Sequence, residues 1–229
     1  MATSSKVIFA GAVGQLEGML HLPDNVPRAV AVVAHPLPVM GGTMDNKVVT
    51  TLAKTFVELG FATLRFNFRG VGESAGSYDE GNGETLDAIA AARFMRDKFH
   101  GLPLTLSGFS FGGYVQARAA EELQPQHLVL VAPAVGRFSP SAGLITSPSA
   151  AVVGQPSGMA SSSIRTGMPN VPSNTLLVHG DLDEVIELDT LLQWARPQHL
   201  SVIVLAGAGH FFHGRLAQLR QIILQNFGE

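Results

Sequence analysis

Apolar and polar positions along the chain alternate between two kinds of block. Ala29 to Ala34, Phe61 to Phe66, Pro103 to Ser107, His127 to Ala132, Asn174 to His179 and Ser201 to Ala206 are short apolar runs bounded by turn residues. Runs of that length predict strands, and Ala29 to Ala34, apolar throughout, predicts a buried one. Between them lie stretches with helical spacing: from a cap at Thr43 or Asp45 to about Leu59, Glu84 to Phe99, Tyr114 to Leu123, Leu188 to Ala195 and Phe212 to Phe227. In the second of these, Ala88, Ala91, Ala92 and Met95 share one face. Gly60 is placed to stop the first. Lys6 to Ala10 and Gln15 to His21 predict an opening hairpin that turns at Gly11 and Gly14. Strands alternating with helices predict an α/β fold, a mostly parallel central sheet with helices on both faces.

One stretch breaks the pattern. From Phe138 to Ser173 the chain is rich in Ser, Gly, Pro and Met and keeps neither period. A loop that long inside a compact domain is usually functional or disordered. It would leave the sheet at the carboxyl end of a strand, which makes 138–173 a candidate lid.

Composition narrows the classes. The chain has 229 residues, 46% hydrophobic and 14% charged, with a net charge of −3. That is enough apolar material for one large core, so a single domain over 1–229 is expected. Lys and Arg are scattered rather than striped, which argues against nucleic acid and anionic membrane as partners. The longest apolar runs are far too short to span a bilayer, and Met1 to Lys6 lacks the parts of a secretion signal. A cytoplasmic protein is the expectation. There is no cysteine, so a thiol nucleophile, disulfides and thiolate metal sites are excluded.

The chemistry starts at Gly108-Phe109-Ser110-Phe111-Gly112, which follows a strand and precedes a helix. A G-x-S-x-G sequence in that context forms a sharp turn that presents its serine, with small residues two before and two after so that strand and helix can approach. Ser110 is therefore the candidate nucleophile. The Phe111 N–H would head the helix, where the dipole favours a developing oxyanion. A serine nucleophile needs a base and a group to orient that base. Of eight histidines, His210 lies in a glycine-rich loop between the last strand and last helix, where a carboxyl-edge site belongs. His213, His199 and His100 read as surface positions. No Asp or Glu occurs from Leu123 to Thr175, so the orienting carboxylate must come from the next loop, His179-Gly180-Asp181-Leu182-Asp183-Glu184. Asp183 has more room than Asp181 to turn back toward His210, and the residues alone leave both open. A second oxyanion donor is expected after the third strand, in His35-Pro36-Leu37-Pro38. Proline has no N–H, so Leu37 is the one amide between the two prolines. The His35 ring is placed to shape this loop. It has no carboxylate or second histidine at ligand spacing, so no metal is expected.

These motifs carry a resemblance. The chain resembles the α/β-hydrolase superfamily, and within it the small bacterial serine hydrolases, dienelactone-hydrolase-like but with a serine nucleophile. The matching segments are His35 to Pro38 with Gly41 to Val48, Arg65 to Ser74, the Ser110 turn, His179 to Val185, and Gly209 to Leu216. The resemblance implies a carboxylesterase with a Ser110, His210, Asp183 triad and no cofactor, acting on a small-molecule ester. Its preference settles on Asp183 over Asp181. A thioesterase or peptidase would use the same residues, and a ligand-binding protein on a hydrolase fold is the alternative from another class.

Overall fold

The computed structural model describes residues 3–134, 136 and 169–227. Most of the candidate lid lies outside them.

Eight strands make one sheet. The opening hairpin is β1 (Thr3–Gly11) and β2 (Gly14–Leu22), followed by β3 (Ala29–Ala34), α1 (Lys47–Glu58), β4 (Phe61–Phe66) and α2 (Asn82–Lys98). Then come β5 (Leu104–Phe109), α3 (Phe111–Leu123), β6 (His127–Val131), β7 (Leu176–Gly180), α4 (Leu188–Ala195), β8 (Val202–Leu205) and α5 (Leu216–Phe227). The strand order is β1-β2-β4-β3-β5-β6-β7-β8. Strands from β4 to β8 are parallel, and β2 runs antiparallel to both of its neighbours. Every residue of β3 and β5 is buried, as the unbroken apolar run of β3 and the central place of both strands in the sheet require.

Alternate residues feed two cores. Val30 and Val32 of β3 pack with α2, α3 and α4 on one face, while Ala31 and Val33 pack with α1 and α5 on the other. The chain therefore leaves β3 toward one face, to α1, and leaves β5 toward the opposite face, to α3. Adjacent strands whose connections diverge in this way open a crevice at their carboxyl ends, the usual ligand position in such sheets.

Several boundaries depart from the sequence reading: β1 begins at Thr3 rather than Lys6 and α3 at Phe111 rather than Tyr114, and two more departures have a local cause. Helix α1 is capped by Asn46, whose Oδ1 accepts the Val48 N–H at 2.9 Å, and not by Thr43 or Asp45. Thr43 Oγ1 instead accepts the Asp45 N–H at 3.2 Å, closing a local turn just before the helix. Helix α5 begins at Leu216 rather than Phe212. Phe212 and Gly214 have φ of 52° and 71°, left-handed values that interrupt a helix, and Phe212 is fully buried. Its burial made the turn look like part of an apolar helical face.

Candidate active site

The turn after β5 is built by the absence of side chains. A Cβ on Gly108 would lie 2.3 Å from the Gly112 carbonyl oxygen, and one on Gly112 would lie 2.4 Å from the Ala34 oxygen. Strand, helix and the end of β3 can meet only because both positions are glycine. Between them Ser110 takes φ 54° and ψ −119°, a conformation that L side chains rarely adopt. Its backbone is held from both sides: its N–H donates to Val131 O at 2.9 Å, and its carbonyl accepts from Tyr114 and Ala134, each at 3.1 Å.

Ser110 Oγ lies 3.0 Å from His210 Nε2, and His210 Nδ1 lies 2.8 Å from Asp183 Oδ2. All three side chains are buried. The Asp183 carboxylate can only accept at neutral pH, so the imidazole carries its proton on Nδ1 and offers the Nε2 lone pair to the serine hydroxyl. The other carboxylate oxygen, Oδ1, accepts the Val185 and Ile186 N–H groups at 2.9 and 2.7 Å. Burial pushes the Asp183 carboxyl up, but the bonds from His210, Ile186 and Val185 outweigh it and hold the group below its ordinary range. The His210 ring packs against Phe109 and Phe211, with centroids at 5.0 and 5.1 Å, and these two rings touch each other at 5.9 Å.

Three further contacts tie the acid loop to the histidine loop. Leu182 N–H donates to Ala208 O at 3.0 Å, Gly207 N–H to Asp181 Oδ1 at 2.6 Å, and His210 N–H to Glu184 Oε2 at 3.4 Å. Asp181 thus holds the base's loop, while Asp183 meets the base itself. A Cβ on Gly180 would stand 2.1 Å from Ala208 O, which explains the glycine after His179. His179 is fully buried with Nε2 bonded to Ile186 O at 2.9 Å, and burial lowers its pKa. Its place in the same short motif as Asp183 was the available signal, and sequence reasoning did not use it. His213, His199 and His100 are exposed.

The loop after β3 carries Leu37 directly before a 3-10 turn, Pro38–Met40. No acceptor among the described residues takes the Leu37 N–H. Gly112, next to Phe111, touches the carbonyls of Ala34 and His35. The segments bearing the Leu37 and Phe111 amides are therefore in contact across the crevice. A second serine–histidine contact, Ser4 Oγ to His21 Nδ1 at 2.7 Å, is chemically different. Arg65 Nε donates to His21 Nε2 at 3.0 Å, so Nδ1 bears the proton and has no lone pair for a serine.

Comparison with known proteins gives consistent results. Residues 25–155 match the family described as serine aminopeptidase, S33. An α/β serine hydrolase without a lid from Xanthomonas campestris superposes with a TM-score of 0.81 at 35% identity, over 97% of this chain and 93% of that one. An α/β serine hydrolase homologue from Coxiella burnetii gives 0.78 at 38% identity, over 97% and 96%. An uncharacterized protein of Rickettsia prowazekii is 35% identical over 132 residues, 57% of this chain. The match spans 56% of that relative's length. No helix among the described residues is long and apolar enough to cross a membrane.

Proposed function

The chain belongs to the α/β serine hydrolases, and from that membership we propose that it is a carboxylesterase acting through Ser110, His210 and Asp183. The observation that carries the reading is the continuous hydrogen-bonded chain from Ser110 Oγ through His210 to Asp183, mounted on a strained turn. Ser110 Oγ attacks the ester carbonyl as its proton passes to His210 Nε2. The carbonyl electron pair moves to oxygen, where the Leu37 and Phe111 N–H groups receive it. Collapse breaks the bond to the alkoxide, which takes the proton from His210. Water then repeats the sequence on the acyl-serine, releasing the acid and restoring the hydroxyl. Asp183 keeps the imidazole in the required tautomer and balances its charge while it holds the extra proton. No cofactor enters the scheme.

An ester with apolar substituents suits the surroundings. Val39, Met40, Leu182 and Phe211 are exposed, and they lie on the same three loops that carry Leu37, Asp183 and His210. Exposed apolar side chains gathered at a site favour apolar ligands. The test is hydrolysis of short-chain p-nitrophenyl esters. Ser110→Ala should lower kcat by roughly four orders of magnitude or more, and a variant that keeps its rate overturns the reading. The match to a family described as aminopeptidases supports a second reading, amide hydrolysis with the same residues. Faster turnover of aminoacyl p-nitroanilides than of the matching esters would favour it.

A further inference from the structure

We propose that His35 is a positioning residue whose two ring nitrogens fix the Pro36–Leu37 peptide plane, so that the Leu37 N–H is aimed at the reacting oxygen before substrate arrives. The inference rests on the Ser110 reading above and concerns a group that touches neither substrate nor Ser110.

The argument begins with proton inventory. His35 Nε2 lies 3.1 Å from the Phe68 N–H, which can only donate, so Nε2 is an acceptor and carries no proton. Nδ1 must then carry it, and it donates to Pro36 O at 2.7 Å. One neutral tautomer satisfies both contacts, and the ring is fully buried. Burial lowers its pKa to about 4 against the opposing pull of the Pro36 carbonyl, so the ring is neutral at working pH.

The Pro36 carbonyl belongs to the same peptide unit as the Leu37 N–H. The described residues contain no cis peptide bond, and in a trans unit C=O and N–H point in opposite directions. Holding the oxygen against His35 therefore points the Leu37 N–H away from it. Other contacts close the alternatives. A Cβ on Gly42 would stand 2.1 Å from Pro36 O, so the glycine packs directly on the carbonyl. Leu37 O accepts from Met40 and Gly42 N–H groups, each at 3.1 Å, which fixes the following peptide as well. The partner of Nε2 has its own anchorage. Phe68 follows Asn67, whose Oδ1 accepts the Met44 N–H at 2.9 Å and whose Nδ2 donates to Glu17 Oε2 at 2.9 Å. The segment after β4 thus braces the loop after β3 at two points, His35 and Met44, which gives the Arg65 to Ser74 motif a purpose.

A rigid amide costs no reorganisation when charge develops, whereas one free to rotate must be ordered in the transition state. Loss of the brace should therefore appear in kcat more than in KM. The experiment measures p-nitrophenyl ester hydrolysis by the intact chain carrying His35→Leu, His35→Gln, Leu37→Pro, and the His35 and Leu37 changes combined. Leu37 has φ −52°, which a proline ring can adopt, so Leu37→Pro removes the N–H itself. We expect His35→Leu and Leu37→Pro each to lower kcat by about 100- to 1000-fold with KM changed by less than about threefold. Glutamine supplies one donor and one acceptor, so His35→Gln should recover at least about tenfold of the rate lost in His35→Leu. In the Leu37→Pro background neither His35 change should matter, because the amide it aims is gone. Retention of kcat in folded His35→Leu, additive losses in the combined variants, or an unchanged kcat in Leu37→Pro would overturn the proposal. If circular dichroism shows that His35→Leu does not fold, the pair His35→Gln and Leu37→Pro decides by the same additivity rule. Wild-type hydrolysis abolished by Ser110→Ala, together with fully active His35 variants, removes this inference alone. A wild type that neither cleaves esters nor reacts with a fluorophosphonate removes both.

Discussion

At the scale of single residues, what could be read from the sequence was what a residue type alone constrains. Gly108 and Gly112 announce a turn that excludes side chains, and the contacts a Cβ would make there, 2.3 and 2.4 Å from backbone, are the reason. Ser110, His210 and the loop that carries Asp183 followed from position relative to strand ends, and the three side chains meet at 3.0 and 2.8 Å. The preference for Asp183 over Asp181 came from the family resemblance, and the two aspartates do take different partners. The bonds of His35 were not legible. Its partners are a backbone carbonyl and a backbone N–H, groups that every residue offers, and Phe68 is 33 residues away. This buried ring also makes a prediction about stability. Its pKa in the folded protein is about 4, below the ordinary 6.5. Above pH 6.5 both folded and unfolded states hold it neutral, and between 6.5 and 4 only the unfolded state gains the proton. Stability should therefore fall as pH drops through that window, with His35 contributing roughly 3 kcal/mol of the loss. His21, His127 and His179 are also lowered by burial and add in the same direction. Urea unfolding at pH 7 and pH 4.5 should show a visibly smaller difference for His35→Gln than for wild type; equal differences would mean the ring is not held neutral.

At the scale of elements, strands β2 to β8 were predicted to within two residues, because short apolar runs bounded by turn residues mark them, whereas β1 begins at Thr3, three polar residues before the predicted Lys6. Helix ends were less accurate, since Asn46, Thr43 and Asp45 are all competent caps and only the path of the preceding loop selects among them. Least visible was the fastening of one element to another. Arg69, just after β4, donates to Asp87 of α2 from its backbone N–H and from Nε at 3.0 Å each, and from Nη2 at 2.8 Å. Asp87 is fully buried, and a Cβ on Gly83 would stand 1.9 Å from Arg69 Nη1, so the helix is cut away to admit the guanidinium. Removing one partner leaves a buried charge unpaired. Asp87→Ala should cost about 3–5 kcal/mol in urea unfolding, whereas Arg69→Met combined with Asp87→Leu should cost less than that single change. A double variant weaker than Asp87→Ala would show that the ion pair is not the dominant loss.

At the scale of the whole molecule, the candidate site is a measurement of sheet geometry. Ser110 follows β5, Asp183 follows β7 and His210 follows β8, so β6 separates the nucleophile from the other two groups. Neighbouring strands lie about 4.8 Å apart, so the three spacings from β5 to β8 make the site span roughly 14 Å of sheet before the loops fold back. β6 contributes none of the proposed site residues, yet Ser110 N–H bonds to its Val131 and Ala132 N–H just beyond it bonds to Val178 of β7. The strand acts as a spacer, which separates stability from activity in a testable way. Leu130 of β6 and Leu20 of β2 are both buried in the same core face, one between β5 and β7 and the other at the far side of the sheet. Leu130→Ala and Leu20→Ala should each lose about 2–5 kcal/mol through the cavity they leave. Relaxation around Leu130 shifts β5 against β7, and displacements near 1 Å in a reacting pair lower rates by about 100-fold. Relaxation around Leu20 is absorbed in the antiparallel hairpin. With both variants assayed at a temperature where each is fully folded, kcat should fall strongly for Leu130→Ala and by less than about twofold for Leu20→Ala. Equal losses would mean that the sheet transmits strain across all eight strands, and that the spacing of the site is set by the whole rather than by β6.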